Sequence, residues 1–233
     1  MTLEKSNCFI LTLDGPSGSG KGTIGQMIAK HYGWHYLDSG GLYRAFAYAG
    51  WQKGIDADDH RALKQLINHI QIRFIPSDDG GCDIQINGDD VTAQVRDEQA
   101  GRRASNYARK PHVRELLFDL QKAFALAPGL VADGRDMGSI VFAQANLKYF
   151  LTATAQCRAQ RRYKQLKLKG FDVNLTRLIE DINQRDEQDR LRQHSPLVPA
   201  ADAIILDTTE LGIEHVYDTI VAHIDDSLSG AVD

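Results

Sequence analysis

Leu13-Asp-Gly-Pro-Ser-Gly-Ser-Gly-Lys-Gly-Thr-Ile24 decides how this chain reads, because it sets a glycine-rich turn between a buried strand and an amphipathic helix. Upstream, Cys8 to Leu13 is an apolar run of strand length; downstream, Ile24, Met27, Ile28 and His31 repeat at helical spacing. Gly15, Gly18 and Gly20 allow sharp turns that aim backbone N–H groups inward. The helix dipole adds positive potential there, and Lys21 supplies a mobile charge, which together make a phosphate cradle. Gly15, Pro16, Ser17, Gly18, Ser19, Gly20 and Lys21 follow the pattern G-x-x-x-x-G-K, but Gly22 stands where a hydroxyl is usual and Thr23 comes one place late. Without that hydroxyl, the magnesium arrangement of GTPases and motor ATPases is not expected unchanged. Kinases of small phosphorylated metabolites are favoured instead.

The bulk composition is enough for a substantial core. A chain of 233 residues, 42% of them hydrophobic, can hold one large α/β domain or a core with a smaller insert. The formal net charge of −4 argues against binding a polyanion with the whole surface. No apolar run approaches a membrane span and no signal-peptide core precedes the first strand, so a cytoplasmic protein is expected. Cys8, Cys82 and Cys157 are odd in number and far apart, and read as free thiols. His31 and His35 have the i, i+4 spacing of metal ligands, but Gly33 between them should end the helix.

Beyond the first helix, Trp34 to Leu37 reads as a strand, and Ser39 as the N-cap of a helix carrying Leu42, Tyr43, Phe46 and Ala47. An anion could sit between that helix start and Arg44; capping plus a solvated arginine is the plain alternative. Asp59 to Asn68 is helical in pattern, and then the period changes to two at Ile70, Ile72 and Phe74. Ile84 and Ile86 follow a turn-rich stretch, and Asn87-Gly88 marks a hairpin before Val91, so three short antiparallel strands are expected within an insert over 66–108. Arg96 to Lys110 is a polar stretch. Pro111 then starts a helix with Val113, Leu116, Leu117, Leu120 and Phe124 inward, stopped by Pro128-Gly129.

Leu130 to Asp133 is a buried strand that ends in Asp133-Gly134-Arg135-Asp136. An apolar strand closing on aspartate resembles the Walker B element, whose carboxylate faces Mg²⁺ directly or through water. Leu147 to Leu151 and Ala203 to Leu206 complete a doubly wound, five-stranded parallel sheet, closed by a helix with Ile213, Val216, Tyr217, Ile220, Val221 and Ile224 on its apolar face. Between those two strands, Ala155 to Ser195 carries ten Lys or Arg and six Asp or Glu, a local charge of +4 against −8 for the remainder. Arg158, Arg161 and Arg162 lie before the turn at Gly170. Leu175, Leu178, Ile179 and Ile182 start a helix beyond it, and Arg185, Asp189 and Arg192 share one of its faces. A solvated, salt-bridged helix and a nucleic-acid surface are both possible readings. Beside a phosphate loop, an arginine lid closing over transferring phosphates accounts for more.

Four motifs together, Gly15 to Thr23, Asp38-Ser-Gly-Gly-Leu-Tyr-Arg44, Asp133-Gly-Arg-Asp-Met-Gly138 and Arg185-Asp-Glu-Gln-Asp-Arg190 with Pro196 to Asp202, closely resemble the long bacterial cytidylate kinases. The resemblance runs through nearly the whole chain. It implies a P-loop core over 1–65, 109–154 and 196–233, a monophosphate-binding insert over 66–108, and a lid with its following helix over 155–195. It implies transfer of the ATP γ-phosphoryl group to CMP or dCMP with Mg²⁺, in a monomer that needs neither membrane nor nucleic acid. Gly15 to Thr23 with Lys21 would hold ATP phosphates, with Arg158, Arg161 and Arg162 in the lid. Ser39, Arg44, Arg135 and Arg192 would surround the acceptor phosphate. Ser105, Arg114 and Asp136 match positions that read cytosine, and Arg185 and Asp189 match those that hold the sugar. Asp133 would face the metal through water. Gln184 and Gln188 stand where charges are familiar, and His112 where an arginine is. UMP or AMP kinases, and a nucleotide-dependent regulatory switch, are the competing readings.

Overall fold

The structure is a computed structural model that describes residues 8–76, 81–168, 170, 172–191 and 196–230. Its centre is a five-stranded parallel sheet in the order β2-β6-β1-β7-β8, made of Phe9–Asp14 (β1), His35–Asp38 (β2), Gly129–Gly134 (β6), Leu147–Thr152 (β7) and Ile204–Asp207 (β8). Leu11, Leu13, Leu130 and Val131 in its middle strands are fully buried, as apolar strands covered on both faces must be. Register brings Leu13 and Asp38 opposite Asp133, and Asp14 opposite Gly134, so the turns after β1, β2 and β6 open at one carboxyl edge. Open sheets of this kind bind ligands there.

Helices cover both faces. Lys21–Tyr32 (α1) ends on Gly33, and Ile213–Ser229 (α9) packs beside it through Val216, Ile220 and Ile224. Ile213 is 54% exposed, so it drops out of the expected apolar face. Ser39–Gln52 (α2) starts one residue differently from expectation: Asp38 is the N-cap, its Oδ1 accepting from Gly41 N–H at 2.8 Å. Ser39 is the first helical residue, and two cap-forming residues in succession had left the choice open.

Between His60–Asn68 (α3) and Pro111–Lys122 (α6) lies a second sheet, Ile72–Pro76 (β3), Cys82–Ile86 (β4) and Asp89–Asp90 (β5), antiparallel as its alternation implied. Asn87 and Gly88 both take positive φ at its hairpin, 54° and 96°. The polar stretch that follows contains two helices absent from the sequence reading, Thr92–Arg96 (α4) and Glu98–Ala108 (α5). Val95 is the buried residue of α4; Ala100, Ala104 and Tyr107 are the buried stripe of α5, which Asp97 caps. The helix α6 ends at Lys122, before the expected stop at Pro128. Ala155–Leu168 (α7) and Leu175–Arg190 (α8) form the charged helical pair, with Gly170 at φ 80° between them. Among its residues, α8 buries only Asp189, so Leu178, Ile179 and Ile182 are half-covered and not core.

Candidate active site

The glycine-rich turn is held from within and from three neighbours. Gly15 takes φ 140°, and a Cβ there would lie 2.0 Å from Leu151 O, so the chain can pass β7 only as glycine. Gly18 and Gly20 also take positive φ. Ser19 Oγ donates to Pro16 O at 3.1 Å, and Lys21 Nζ donates to the same carbonyl at 2.8 Å. That contact folds the lysine back over the turn. Thr208 Oγ1 donates to Ser19 O at 3.1 Å, and Arg158 Nη1 to Ser17 O at 3.0 Å.

Lys21 is 5% exposed and stands 4.0 Å from Asp133 Oδ1. Burial pulls the lysine below its ordinary pKa and Arg135 adds to the fall, while Asp133, Asp14 and Asp38 oppose it. Burial pushes the Asp133 carboxyl up, with Lys21 as the main restraint. On the other side of Asp133, Tyr36 Oη donates to Oδ2 at 3.3 Å. The loop's charge is therefore kept in a partly dry setting, where it acts more strongly on a ligand than in water.

Next to the loop, the turn after β6 presents the remaining groups. Arg114 Nη2 donates to Asp136 Oδ2 at 2.8 Å, and Arg135 Nε donates to Asp189 Oδ2 at 3.0 Å. The second pair ties the sheet edge to α8. Arg44 Nη1 donates to Val95 O at 3.3 Å, with Arg162 and Arg96 near enough to disfavour its charge and burial disfavouring it most. Ser39 Oγ donates to Gln121 Oε1 at 3.0 Å, while Gln121 Nε2 donates to Leu117 O. As placed, Ser39 turns lone pairs and not its proton toward any ligand. Ser105 is exposed on α5 and Arg185 on α8. Arg192 lies outside the described residues.

The helical pair uses its arginines in different ways. Arg158 is 3% exposed and makes a two-pronged ion pair with Asp186 of α8, with Nη1 to Oδ1 at 3.1 Å, besides its bond to Ser17 O. Arg161 is anchored on Thr208, through Nη1 to Oγ1 at 3.0 Å and Nη2 to the carbonyl. Arg162 is exposed. His112, the departure beside Arg114, points elsewhere: Nε2 lies 2.9 Å from Ala57 O and its ring stacks on His60.

The glycine-rich loop, the strand-end aspartate and the arginines beside them agree with comparisons to known proteins. The family model described as cytidylate kinase matches residues 11–226. A cytidylate kinase of Pseudomonas paraeruginosa is 51% identical over 92% of this chain and 94% of its own length. One from Shewanella denitrificans is 48% identical over 94% of this chain and 97% of its own length. The chain belongs to the cytidylate kinase family. It is a nucleotide-binding kinase, and within that family the parallel sheet with its antiparallel insert has a function to serve.

For this cytidylate kinase family member, the donors suit magnesium carried in with a nucleotide. Among the described residues no three His, Cys, Asp or Glu side chains form a metal cage. A single carboxylate with phosphates and water is how Mg²⁺ is commonly held, and Asp133 offers it. A Cβ at Gly22 would lie 3.4 Å from Asp133 Oδ2, so the missing hydroxyl would have stood beside that same carboxylate. Asp14, Tyr36, Gln121 and Thr208 are not legible as site residues from the sequence, and Asp186, inside the Arg185 to Arg190 motif, gives no sign there of its pairing with Arg158. Only Asp14 carried a signal, as an acid inside the motif at the end of an apolar strand; the other partners are distant in sequence.

Proposed function

We propose that this kinase transfers the γ-phosphoryl group of ATP to CMP or dCMP, giving ADP and CDP or dCDP. The observation that carries this is the Arg114–Asp136 pair, set at the same sheet edge as the loop and Lys21. A guanidinium beside a carboxylate matches cytosine, which offers acceptors at O2 and N3 and donates from its amino group. Uracil reverses two of those groups.

In this reading residues 66–108 form the monophosphate-binding insert and 155–195 the lid. The loop N–H groups of Gly15 to Thr23 and Lys21 hold the donor phosphates. Arg44, Arg135 and Arg192 hold the acceptor phosphate, and Ser39 joins them once its hydroxyl leaves Gln121. Asp189 and Arg185 take the sugar, and Ser105 the base. Asp133 would hold, through water, the Mg²⁺ that comes with ATP, and the ion would supply neutralisation of donor charge. The acceptor is already an ionised phosphate, so no side chain has to remove a proton. Positioning and charge do the work: Lys21, Arg135, Arg161, Arg162 and Arg192 offset the repulsion of two anionic substrates, most strongly as charge redistributes in the transition state. Closure of the lid excludes water from that step.

The test supplies ATP and Mg²⁺ with CMP, dCMP, UMP, AMP or GMP and follows ADP formation. Turnover with CMP and dCMP well above the others is the expected result. Absence of turnover with both defeats the reading.

A further inference from the structure

Asp14 is the last residue of β1, adjoins Gly15, and is 4% exposed. Its carboxylate turns away from the loop. Oδ1 accepts from Met137 N–H at 2.9 Å and Oδ2 from Gly138 N–H at 2.7 Å. Those N–H groups open the π-helical turn Met137–Val141, which follows directly on Arg135 and Asp136. The first N–H groups of a helical turn have no partner within it, and buried ones require a partner elsewhere. Here one side chain serves both.

The fit leaves no slack. A Cβ at Gly138 would lie 2.7 Å from Thr12 Oγ1, 3.2 Å from Lys148 Cδ and 3.3 Å from Asp14 Oδ2, so the turn can settle on β1 only as glycine. On the loop side, Gly15 is pressed equally closely against Leu151 O. Asp14 is thus joined by one peptide bond to the donor loop, and by two hydrogen bonds to the segment that carries the acceptor side chains. We propose that Asp14 is a positioning residue that fixes the register between the two nucleotide sites. Two parallel acceptor oxygens are what this requires, and a carboxyl keeps acceptor capacity on both whether or not it carries a proton, whereas an amide does not. Asparagine would set an NH₂ against one of the N–H groups, and glutamate would push the turn off the strand by a methylene.

The proposal rests on Arg135 and Asp136 serving the acceptor, and its test separates the two ideas. Asp14→Asn, Gly138→Ala, the double variant and Asp136→Asn are compared by steady-state kinetics, with CMP and ATP varied separately. Amide spectra of the ¹⁵N-labelled proteins report folding and the two bonds. Asp14→Asn should lower kcat/KM for CMP by about tenfold or more, since small misplacements of reacting groups are costly, while KM for ATP stays within about twofold. The double variant should lose no more than the worse single, because both changes break one contact. The Met137 and Gly138 amide protons should move upfield in Asp14→Asn with the rest of the spectrum retained. Equal losses toward both nucleotides, additive losses, or unmoved amide signals overturn the clamp. Should Asp14→Asn not fold, Gly138→Ala alone must show the same split between CMP and ATP, and its absence overturns the clamp too. An Asp136→Asn enzyme with unchanged kinetics toward CMP overturns the acceptor reading instead.

Discussion

Lys21 needs no search to find its ligand, because its Nζ is already bound to Pro16 O, 2.8 Å away in the loop it serves. A phosphate replacing that carbonyl gains a charge held in low dielectric. Lys21→Ala should therefore lower kcat by about a hundredfold or more, the scale on which a main electrostatic stabiliser is lost; near-normal turnover by the folded variant contradicts this. Asp14 gives a pH prediction with a definite sign. Burial pushes its carboxyl from 3.8 to about 7, so the folded protein holds that proton more tightly than the unfolded chain between those values. The resulting stability is full below the lower value and is lost as pH rises through the upper one. It amounts to something on the order of 4 kcal/mol. Asp14→Asn cannot titrate, so wild-type stability minus variant stability should fall between pH 4 and pH 7 in urea unfolding. A flat difference contradicts the assignment. At Asp189 two roles meet, since it holds Arg135 and is the residue proposed to take the sugar. Asp189→Ala should change the CMP to dCMP ratio of kcat/KM more than KM for ATP, and lower kcat with both acceptors through the released arginine. Equal effects on all three nucleotides contradict the sugar role.

The helical pair α7 and α8 is attached by polar contacts where the sheet is held by apolar ones. Arg158 reaches Asp186 and Ser17 O together, Arg135 reaches Asp189, and Leu197 N–H donates to Asp189 O at 3.0 Å. Charged hydrogen bonds of this kind contribute about 1.5–3 kcal/mol each. Arg158→Ala should accordingly raise limited proteolysis within α8 by about tenfold or more, while cleavage of the sheet core stays slow. Unchanged cleavage of α8 would show that other contacts hold the pair. The same helices mark where sequence stops being informative. A run of charges says that a segment is polar, but not which arginine is inside; Arg158 is buried because of Asp186, whose place opposite it depends on the turn between the helices. Likewise α5 was hidden because its buried stripe is Ala100, Ala104 and Tyr107, too weakly apolar to stand out among arginines. The strands were legible because their interiors are continuous apolar runs. Each of β1, β2 and β8 extends one residue further than its run, to Asp14, Asp38 and Asp207, since polar residues still pair at a carboxyl edge. The turn of the loop was legible because Gly15, Gly18 and Gly20 are what its positive φ values require, but its side-chain contacts to Pro16 O, Ser17 O and Ser19 O were not. Pairs such as Arg114 with Asp136 join different elements and needed the fold.

At the scale of the molecule, rigidity and charge are distributed unequally. The sheet is locked by fully buried side chains such as Leu11, Leu130 and Tyr149, whereas α8 contributes one buried residue, and that residue is a carboxylate bound to an arginine of the sheet edge. The segment 155–195 also carries the positive excess of a chain that is otherwise negative. In the proposed reading both substrates are anions, so each one that binds adds counter-charge to this net positive segment and favours its closure. Binding of one nucleotide should then make the lid easier to order for the second. Hydrogen exchange of the free enzyme, of enzyme with ATP analogue alone, with CMP alone, and with a linked bisubstrate analogue tests this. Amides of α7 and α8 should slow by about tenfold or more with the bisubstrate, a change of about 1.4 kcal/mol in the opening equilibrium, and by less with either nucleotide singly. Amides of β1 and β6 should gain less in every state, since their protection already approaches that of global unfolding. Equal slowing across sheet and lid would mean that nucleotides stabilise the fold as one body, and the lid would then have no separate closing step to couple to catalysis.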